Sequence, residues 1–317
     1  MKICIATYAA YADVPWREDA WLAAALRARG CAVEVRDWQA EANWHSYDGI
    51  FVSSTWNIPS APDAFRAWVA ACQADGARRL INARAVLDLG IDKGAYWQVL
   101  GAAGDAVLAA ALTPSRFARP GERAAAEIVA ACQADWPGQA LVFKPIVSAD
   151  SLHAVVFDPS GAALVHEAAR RVTTAEAAAD RVAAILAEPH LGGVVAQPYL
   201  PGVERGEVSA TFVGGQIAVA TRKRPGFGPL PAATRVLEED PATLAALHDL
   251  GARVHAVLGT VAATPVRLRL DLIPVEDGFR ILEVEMVDPN CNFTILPEPA
   301  RTKAVEALAA AIVTAAG

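Results

Sequence analysis

The sequence predicts a mixed α/β and α+β protein in which a doubly wound parallel-sheet domain precedes two smaller α+β units. Three observations predict it. Over the first 82 residues, short β-rich runs alternate with helical stretches. Later strands come in quick succession as hairpins separated by single helices. Near the end, an apolar hairpin carries three carboxylates where apolar side chains are expected.

Residues 2–7 (KICIAT) read as a strand that ends in a polar loop, 8–17. A helix is predicted at 18–29, stopped by Gly30, then strands at 32–37 (AVEVRD) and 49–53 (GIFVS), a helix at 62–74 and a short strand at 79–82. Ligands of such sheets collect beyond the carboxyl ends of the strands. That singles out Thr7 and Tyr8 with Ser53, Ser54, Thr55, Trp56 and Asn57, whose hydroxyls beside an aromatic ring either orient a small polar substrate or cap the loop. No G-x-G-x-x-G follows the first strand, which argues against a dinucleotide site. The heptamer VAACQAD occurs at 69–75 and 129–135, but the flanks differ, so both copies read as helix ends and not as a repeat.

After Leu80 the pattern changes, and residues 82–94 (NARAVLDLGIDKG) lead into the next unit. Lys93 stands at the entrance of a helix predicted at 95–100, and a turn-rich stretch (113–121) leads to a helix at 124–134. Strands follow at 140–145 (ALVFKP), 152–157 and 162–166, the last two as a hairpin, then a helix at 174–187 and a strand at 193–197. The last third has a hairpin of 207–213 and 216–222, a helix at 241–258, the acidic hairpin, and a closing helix at 301–315. The expected division is 1–88, 89–196 and 197–317, with a ligand held in the cleft between the two α+β units.

Composition removes several function classes. A formal net charge of −7 and a pI near 5.4 oppose a nucleic-acid partner. The Ala-rich segments are broken by charges and do not span a bilayer, and the first residues lack a signal-peptide core, so a cytoplasmic location is expected. Five scattered cysteines without a C-x-x-C pair read as free thiols; Cys291 alone, beside the acidic hairpin, has a functional alternative.

In the acidic hairpin the apolar runs 266–273 and 279–287 flank the turn Glu276-Asp277-Gly278. Asp271 lies in the first strand, and Glu283 and Glu285 lie two apart in the second and so share a face. Carboxylates gathered this way repel unless a cation sits among them, and hard oxygen donors suit Mg²⁺ carrying nucleotide phosphates; the alternative is a solvated acidic face. Lys144 near the end of an apolar strand is costly to bury unless it meets an anion such as phosphate, or its head reaches water. Gln197-Pro198-Tyr199-Leu200 forms a stiff turn able to pair with a purine edge. Glu207 suits ribose hydroxyls, and Arg222-Lys223-Arg224 is the one tight basic cluster.

The series Lys93, Phe143-Lys144-Pro145, Gln197-Pro198-Tyr199-Leu200, Gly206-Glu207-Val208-Ser209, Arg222-Lys223, Arg269-Leu270-Asp271 and Leu282-Glu283-Val284-Glu285 with Pro289 resembles the ATP-grasp superfamily. Within it, the chain most resembles the glutathione-synthetase-like branch that includes the D-cycloserine-forming ligase and related small amino-acid ligases. The resemblance covers nearly the whole chain and implies an ATP-grasp fold whose two α+β units clamp ATP. It implies that Lys93 and Lys144 hold the α- and β-phosphates, with Ser148 in the covering loop. Gln197, Tyr199 and Leu200 form the adenine hinge, and Glu207 binds ribose. Lys223, with Arg222, contacts the transferring phosphate. Asp271, Glu283 and Glu285 carry two Mg²⁺ ions, and Arg269 steadies developing charge. The implied activity is ATP-dependent carboxylate–amine ligation on an amino acid or small derivative, with ring closure as a subcase and a small-molecule kinase as the alternative; the partners are a small carboxylate and an amine, and a homo-oligomer is left open.

Three departures stand out. The phosphate-covering loop reads Val147-Ser148-Ala149-Asp150-Ser151, without glycine. Near relatives tend to have Arg-Ser-Thr-Trp-Asp where this chain has Ser53-Ser54-Thr55-Trp56-Asn57, which bears on the substrate. Glu285 stands where more distant relatives often have Asn.

Overall fold

Strand β1 (Lys2–Thr7) is buried along nearly its whole length, as its unbroken apolar run requires of a strand covered on both faces. It lies inside a four-stranded parallel sheet of order β2-β1-β3-β4, with β2 (Ala32–Asp37), β3 (Gly49–Val52) and β4 (Leu80–Ile81). The mixed sequence of β2 suits its place at the half-exposed edge. Helix α1 (Asp19–Ala28) ends where Gly30 adopts φ +81°, the left-handed turn its sequence position predicts. Helix α2 (Pro62–Ala71) begins on proline and stops three residues before the predicted end. The computed structural model describes residues 1–14, 17–77, 79–149, 151–161, 171–223, 234–237 and 241–317.

Three helices follow where the sequence predicts one: α3 (Arg84–Gly90), α4 (Lys93–Gly101) and α5 (Ala106–Ala111). The last two are capped by carboxylates, Asp92 accepting from the Ala95 N–H and Asp105 from the N–H groups of Val107 and Leu108. A second sheet has the order β5-β9-β6-β7-β8, built from β5 (Arg116–Ala118), β6 (Leu141–Pro145), β7 (Val155–Phe157), β8 (Arg171–Val172) and β9 (Val194–Pro198). It is antiparallel except at β7–β8. The strand predicted at 162–166 lies outside the described residues, as do Asp150 and Arg224. Helices α6 (Ala125–Asp135) and α7 (Ala175–Leu186) cover this sheet, and Ile128, Cys132, Phe143, Phe157 and Val182 belong to a core drawn only from this unit.

The third sheet has the order β12-β11-β10-β13-β14, formed by β10 (Glu207–Val213), β11 (Gln216–Lys223), β12 (Arg235–Val236), β13 (Arg267–Val275) and β14 (Gly278–Glu285). Its apolar face packs on α8 (Pro241–Val261), α4 and α5 through Phe212, Leu247, Val254, Leu268, Leu270 and Val284, among others. The closing helix α9 (Ala300–Ala316) returns to the first sheet. Ile3, Phe51, Val213, Val219, Phe293 and Ile312 lie in one core shared by the first and third sheets. Asn82, just after β4, latches the two together: its Nδ2 donates to the carbonyls of Arg267 (2.8 Å) and Met286 (2.7 Å), and its Oδ1 accepts from the Val266 N–H (2.7 Å). Arg267 answers by donating to the Val52 carbonyl (2.8 Å). Among the described residues no helix is long and apolar enough to cross a membrane.

Candidate active site

Strand alternation sorts the third sheet into an apolar face and a polar one. Glu207 pairs with Lys223, Ser209 lies between Thr221 and Asp271, and Arg269 lies between Thr211 and Glu285. These residues are an even number of positions apart along each strand and share the face turned away from α8. The predicted hairpin and its turn are present, with a register shift between Asp271 and Leu272 that the sequence does not announce. The shift decides the site. Asp271 faces Glu283, while Leu272 pairs with Ile281, which enters the core although simple alternation would put it beside Glu283.

The acidic residues are held by cations. Arg269 grips Asp271 with both Nε (2.8 Å) and Nη2 (2.7 Å), reaches Glu285 Oε1 with Nη2 (2.9 Å), and donates from Nη1 to the Asn290 carbonyl (3.0 Å). Ser209 Oγ donates to Asp271 (2.7 Å). Lys93 opens α4 and is only 6% exposed; its ammonium lies 2.8 Å from Glu283 Oε1 and 2.7 Å from the Ser148 carbonyl. Lys144 reaches toward the Leu282 carbonyl from β6. Burial pushes Glu285 up to about 8 and Glu207 up to about 7, the neighbouring Asp271 charge adding to both. Burial would raise Glu283 too, but Lys93 and Lys144 outweigh it and hold that carboxyl below its usual range. Burial lowers Lys144, while its carboxylate neighbours oppose the change.

A cavity of about 290 Å³ opens over this face. Of the predicted residues, Trp56, Lys93, Ser148, Glu207, Lys223, Arg269, Glu283 and Glu285 line it. Asp271 is 4% exposed and sits behind Arg269. The N-terminal hydroxyls turn inward instead. Ser53 Oγ (2.5 Å) and Ser54 Oγ (3.2 Å) donate to Asp19, as does Thr7 Oγ1 (3.3 Å), and Arg17 pairs with the same carboxylate. Thr55 donates to Asp288 Oδ2 (2.7 Å), and Asn57 bonds to Trp38 and Gln39. Tyr8 packs edge-on to Tyr11.

The hinge residues form a separate group. Gln197 is 2% exposed and donates from Nε2 to Ser115 Oγ (2.9 Å), while its Oε1 is buried without a partner among the described residues. The Tyr199 N–H is taken by the Ala140 carbonyl (2.7 Å), and Leu200 precedes the short helical turn Pro201–Arg205. Arg222 is half-buried on β11. Cys291 is fully buried, and burial pushes its thiol far up, so it reads as a core residue.

Sequence reading missed the loop after β14. Asp288, Asn290 and Asn292 line the cavity, and Glu18 fixes the loop by accepting from the N–H groups of Cys291 (3.0 Å) and Phe293 (2.5 Å). The polar run Asp288-Pro289-Asn290-Cys291-Asn292 at the end of an acidic strand was the available signal. Asp19 and Ser115 gave none.

Comparison with known proteins agrees with this architecture. Residues 3–82 match the family model described as the D-cycloserine synthetase DcsG N-terminal domain. A comparison with curated proteins gives no match. Among solved structures, D-cycloserine synthetase DcsG superposes with a TM-score of 0.79 at 24% identity over 98% of this chain and 100% of that one. D-alanine–D-alanine ligase from Bacillus anthracis gives 0.67 at 12% identity over 100% and 97%. The ATP-grasp ligase PsnB, solved with a precursor variant, Mg and ADP, gives 0.55 at 16% identity over 99% and 98%. The chain therefore has the ATP-grasp fold, with an N-terminal stretch that matches the D-cycloserine synthetase family.

Proposed function

We propose that the protein is an ATP-dependent carboxylate–amine ligase acting on an amino acid or a small amino-acid derivative. The observation that carries this reading is the single polar sheet face on which Lys223, Arg269, Glu207, Asp271, Glu283 and Glu285 meet Lys93 from α4. Phosphoryl transfer asks for positioning and charge neutralisation more than for a catalytic base, and such a face supplies both.

The residues present fit ATP. The unpartnered Gln197 Oε1 is a buried acceptor suited to an exocyclic amino group, and Glu207 suits ribose hydroxyls. Lys93, Lys144 and Lys223 offer ammonium groups to phosphates, with Ser148 beside Lys93. The hard carboxylate oxygens of Glu283, Glu285 and Asp271 suit Mg²⁺, two ions being proposed. Among the described residues no cluster of three or more acidic, His or Cys side chains is spaced as a ready ligand set; Lys93 and Arg269 pair with Glu283 and Glu285. Movement of Lys93 from Glu283 to a phosphate would free Glu283 to hold a metal at no net loss of charge pairing. Glu285 would be released from Arg269 in the same way, whereas Asp271, paired through both oxygens, would offer a metal only its remaining lone pairs.

Bound ATP supplies the phosphoryl group that turns a carboxylate into an acyl phosphate, from which an amine displaces phosphate to give the amide. Arg269, fixed by Asp271 and the Asn290 carbonyl, is aimed at the negative charge that develops in the transfer. The units 1–88, 89–196 and 197–317 are proposed as the substrate side and the two halves of the ATP clamp. A cytoplasmic location accords with five free, buried cysteines.

Hydroxylamine trapping tests the reading. A ligase incubated with ATP, Mg²⁺, its acid and hydroxylamine yields a hydroxamate together with ADP and phosphate; a kinase yields ADP and a phosphate ester without hydroxamate. Mass spectrometry of the product without hydroxylamine separates ring closure from ligation to a second molecule.

A further inference from the structure

The cavity wall contributed by the first 60 residues differs from the polar surface that the hydroxyl-rich sequence suggests. Thr7, Ser53 and Ser54 are committed to Asp19, Thr55 to Asp288, and Asn57 to Trp38 and Gln39. What this part of the chain presents to the cavity is Tyr11, Trp56, Ile58 and Pro59. The Trp56 indole N–H is itself occupied by the Asp288 carbonyl (3.0 Å), so the ring offers carbon. The Tyr11 and Trp56 rings stand 5.6 Å apart at 53°, forming a corner in a cavity that Ile91 and Met286 also line.

This wall is not placed for the adenine. Gln197, the proposed base contact, does not line the cavity, whereas Arg269, aimed at the transferring charge, and the proposed phosphate contacts Lys93, Lys223 and Ser148 do, with the proposed ribose contact Glu207 beside them. The apolar corner therefore shares its cavity with the reacting end of the nucleotide, where the acid must lie.

We infer that the acid activated here carries an apolar or aromatic side chain, seated against Tyr11, Trp56, Ile58 and Pro59; this rests on the ligase reading above. A hydroxyl, amide or charge placed against this corner loses water and, away from the Tyr11 hydroxyl, meets carbon. Each matching methylene placed there is worth roughly tenfold or more in specificity. Trp56 has the central part, because the hydrogen bond to Asp288 fixes the plane of its ring.

The test uses the full chain with ATP, Mg²⁺ and hydroxylamine as trapping amine, and a panel of amino acids: leucine, isoleucine and phenylalanine against serine, asparagine and aspartate. Hydroxamate formation is expected with kcat/KM about tenfold or more higher for the apolar acids. Trp56→Ala raises KM for the preferred acid about tenfold or more with KM for ATP unchanged, while Trp56→Phe keeps a ring and retains the preference. Preference for serine, asparagine or aspartate overturns this inference and leaves the ligase reading standing. Equal losses in Trp56→Phe and Trp56→Ala also overturn it, since the N–H and not the ring would then matter. ATP binding in a nucleotide titration without hydroxamate from any acid defeats both readings.

Discussion

Glu283 and Lys93 illustrate how single side chains at this site hold opposite charges in reserve. Each is largely enclosed, and each is the other's counter-ion at 2.8 Å. Glu283→Gln keeps shape and removes charge, so ADP formation should fall about a hundredfold or more while the fold survives; turnover within a few-fold of the parent, with an unchanged melting curve, would remove Glu283 from the metal assignment. At the other end, Gln197→Ala deletes a buried acceptor that has no partner among the described residues and is the proposed base contact. A net hydrogen bond is worth roughly 1 kcal/mol, so KM for ATP should rise about five- to tenfold with kcat little changed; steady-state kinetics at varied ATP check this. Lys144 and the hairpin carboxylates stand out in the sequence because charge inside apolar strands is costly and therefore informative, whereas Lys93 and Arg269 are picked out through the resemblance. Asp19 is legible in neither way. An acidic residue opening a helix is ordinary, and nothing local reveals that three hydroxyls and an arginine from the end of β1 and two loops converge on it.

Among the elements, legibility followed length and alternation. The β13–β14 hairpin was readable from its two apolar runs and its turn, and α8 from its long apolar periodicity, which in fact continues to Val261. Helices α3 and α5 were not, being six or seven residues long and without a full amphipathic repeat. Strand β5 covers three residues inside a turn-rich stretch and is held by pairing with β9, which no local pattern encodes. Helix α8 carries a titration of its own. His255 is 6% exposed, its Nδ1 lies 2.8 Å from the Gly251 carbonyl, and burial depresses its pKa below 6.5. The unfolded chain takes up a proton there first, so the stability this group contributes is present above about pH 6.5 and is lost as pH falls through the lower folded value. His255→Leu should flatten that part of the acid slope; denaturant midpoints measured at about pH 5 and about pH 7.5 would differ less in the variant than in the parent.

For the whole molecule, the order of the three units along the chain was legible and their joining was not, since the joins are made by residues more than 180 positions apart, such as Asn82 and Arg267. Helix α9 follows the third sheet in sequence but packs on α1, β3 and β4 as well as on β10 and β11. Replacing Ile312, fully buried in that shared core, by Ala should cost about 2–5 kcal/mol and destabilise the first and third sheets together; amide exchange in which only one of these two sheets loses protection would contradict it.

The Asn82 latch has a mechanical consequence. Prising the first sheet from the third strands several buried donors and acceptors, each costing roughly 1–3 kcal/mol, and splits a common core besides. The middle sheet has its own core and shares none of that cost. Amide exchange should accordingly report two cooperative bodies: β1, β3, β10 and β13 protected to one common free energy, and β6, β7 and β9 to another, with ATP slowing the second more than the first. The two fused sheets then form one anvil, and the middle sheet keeps a core of its own while touching the anvil through Ile146 and Val147.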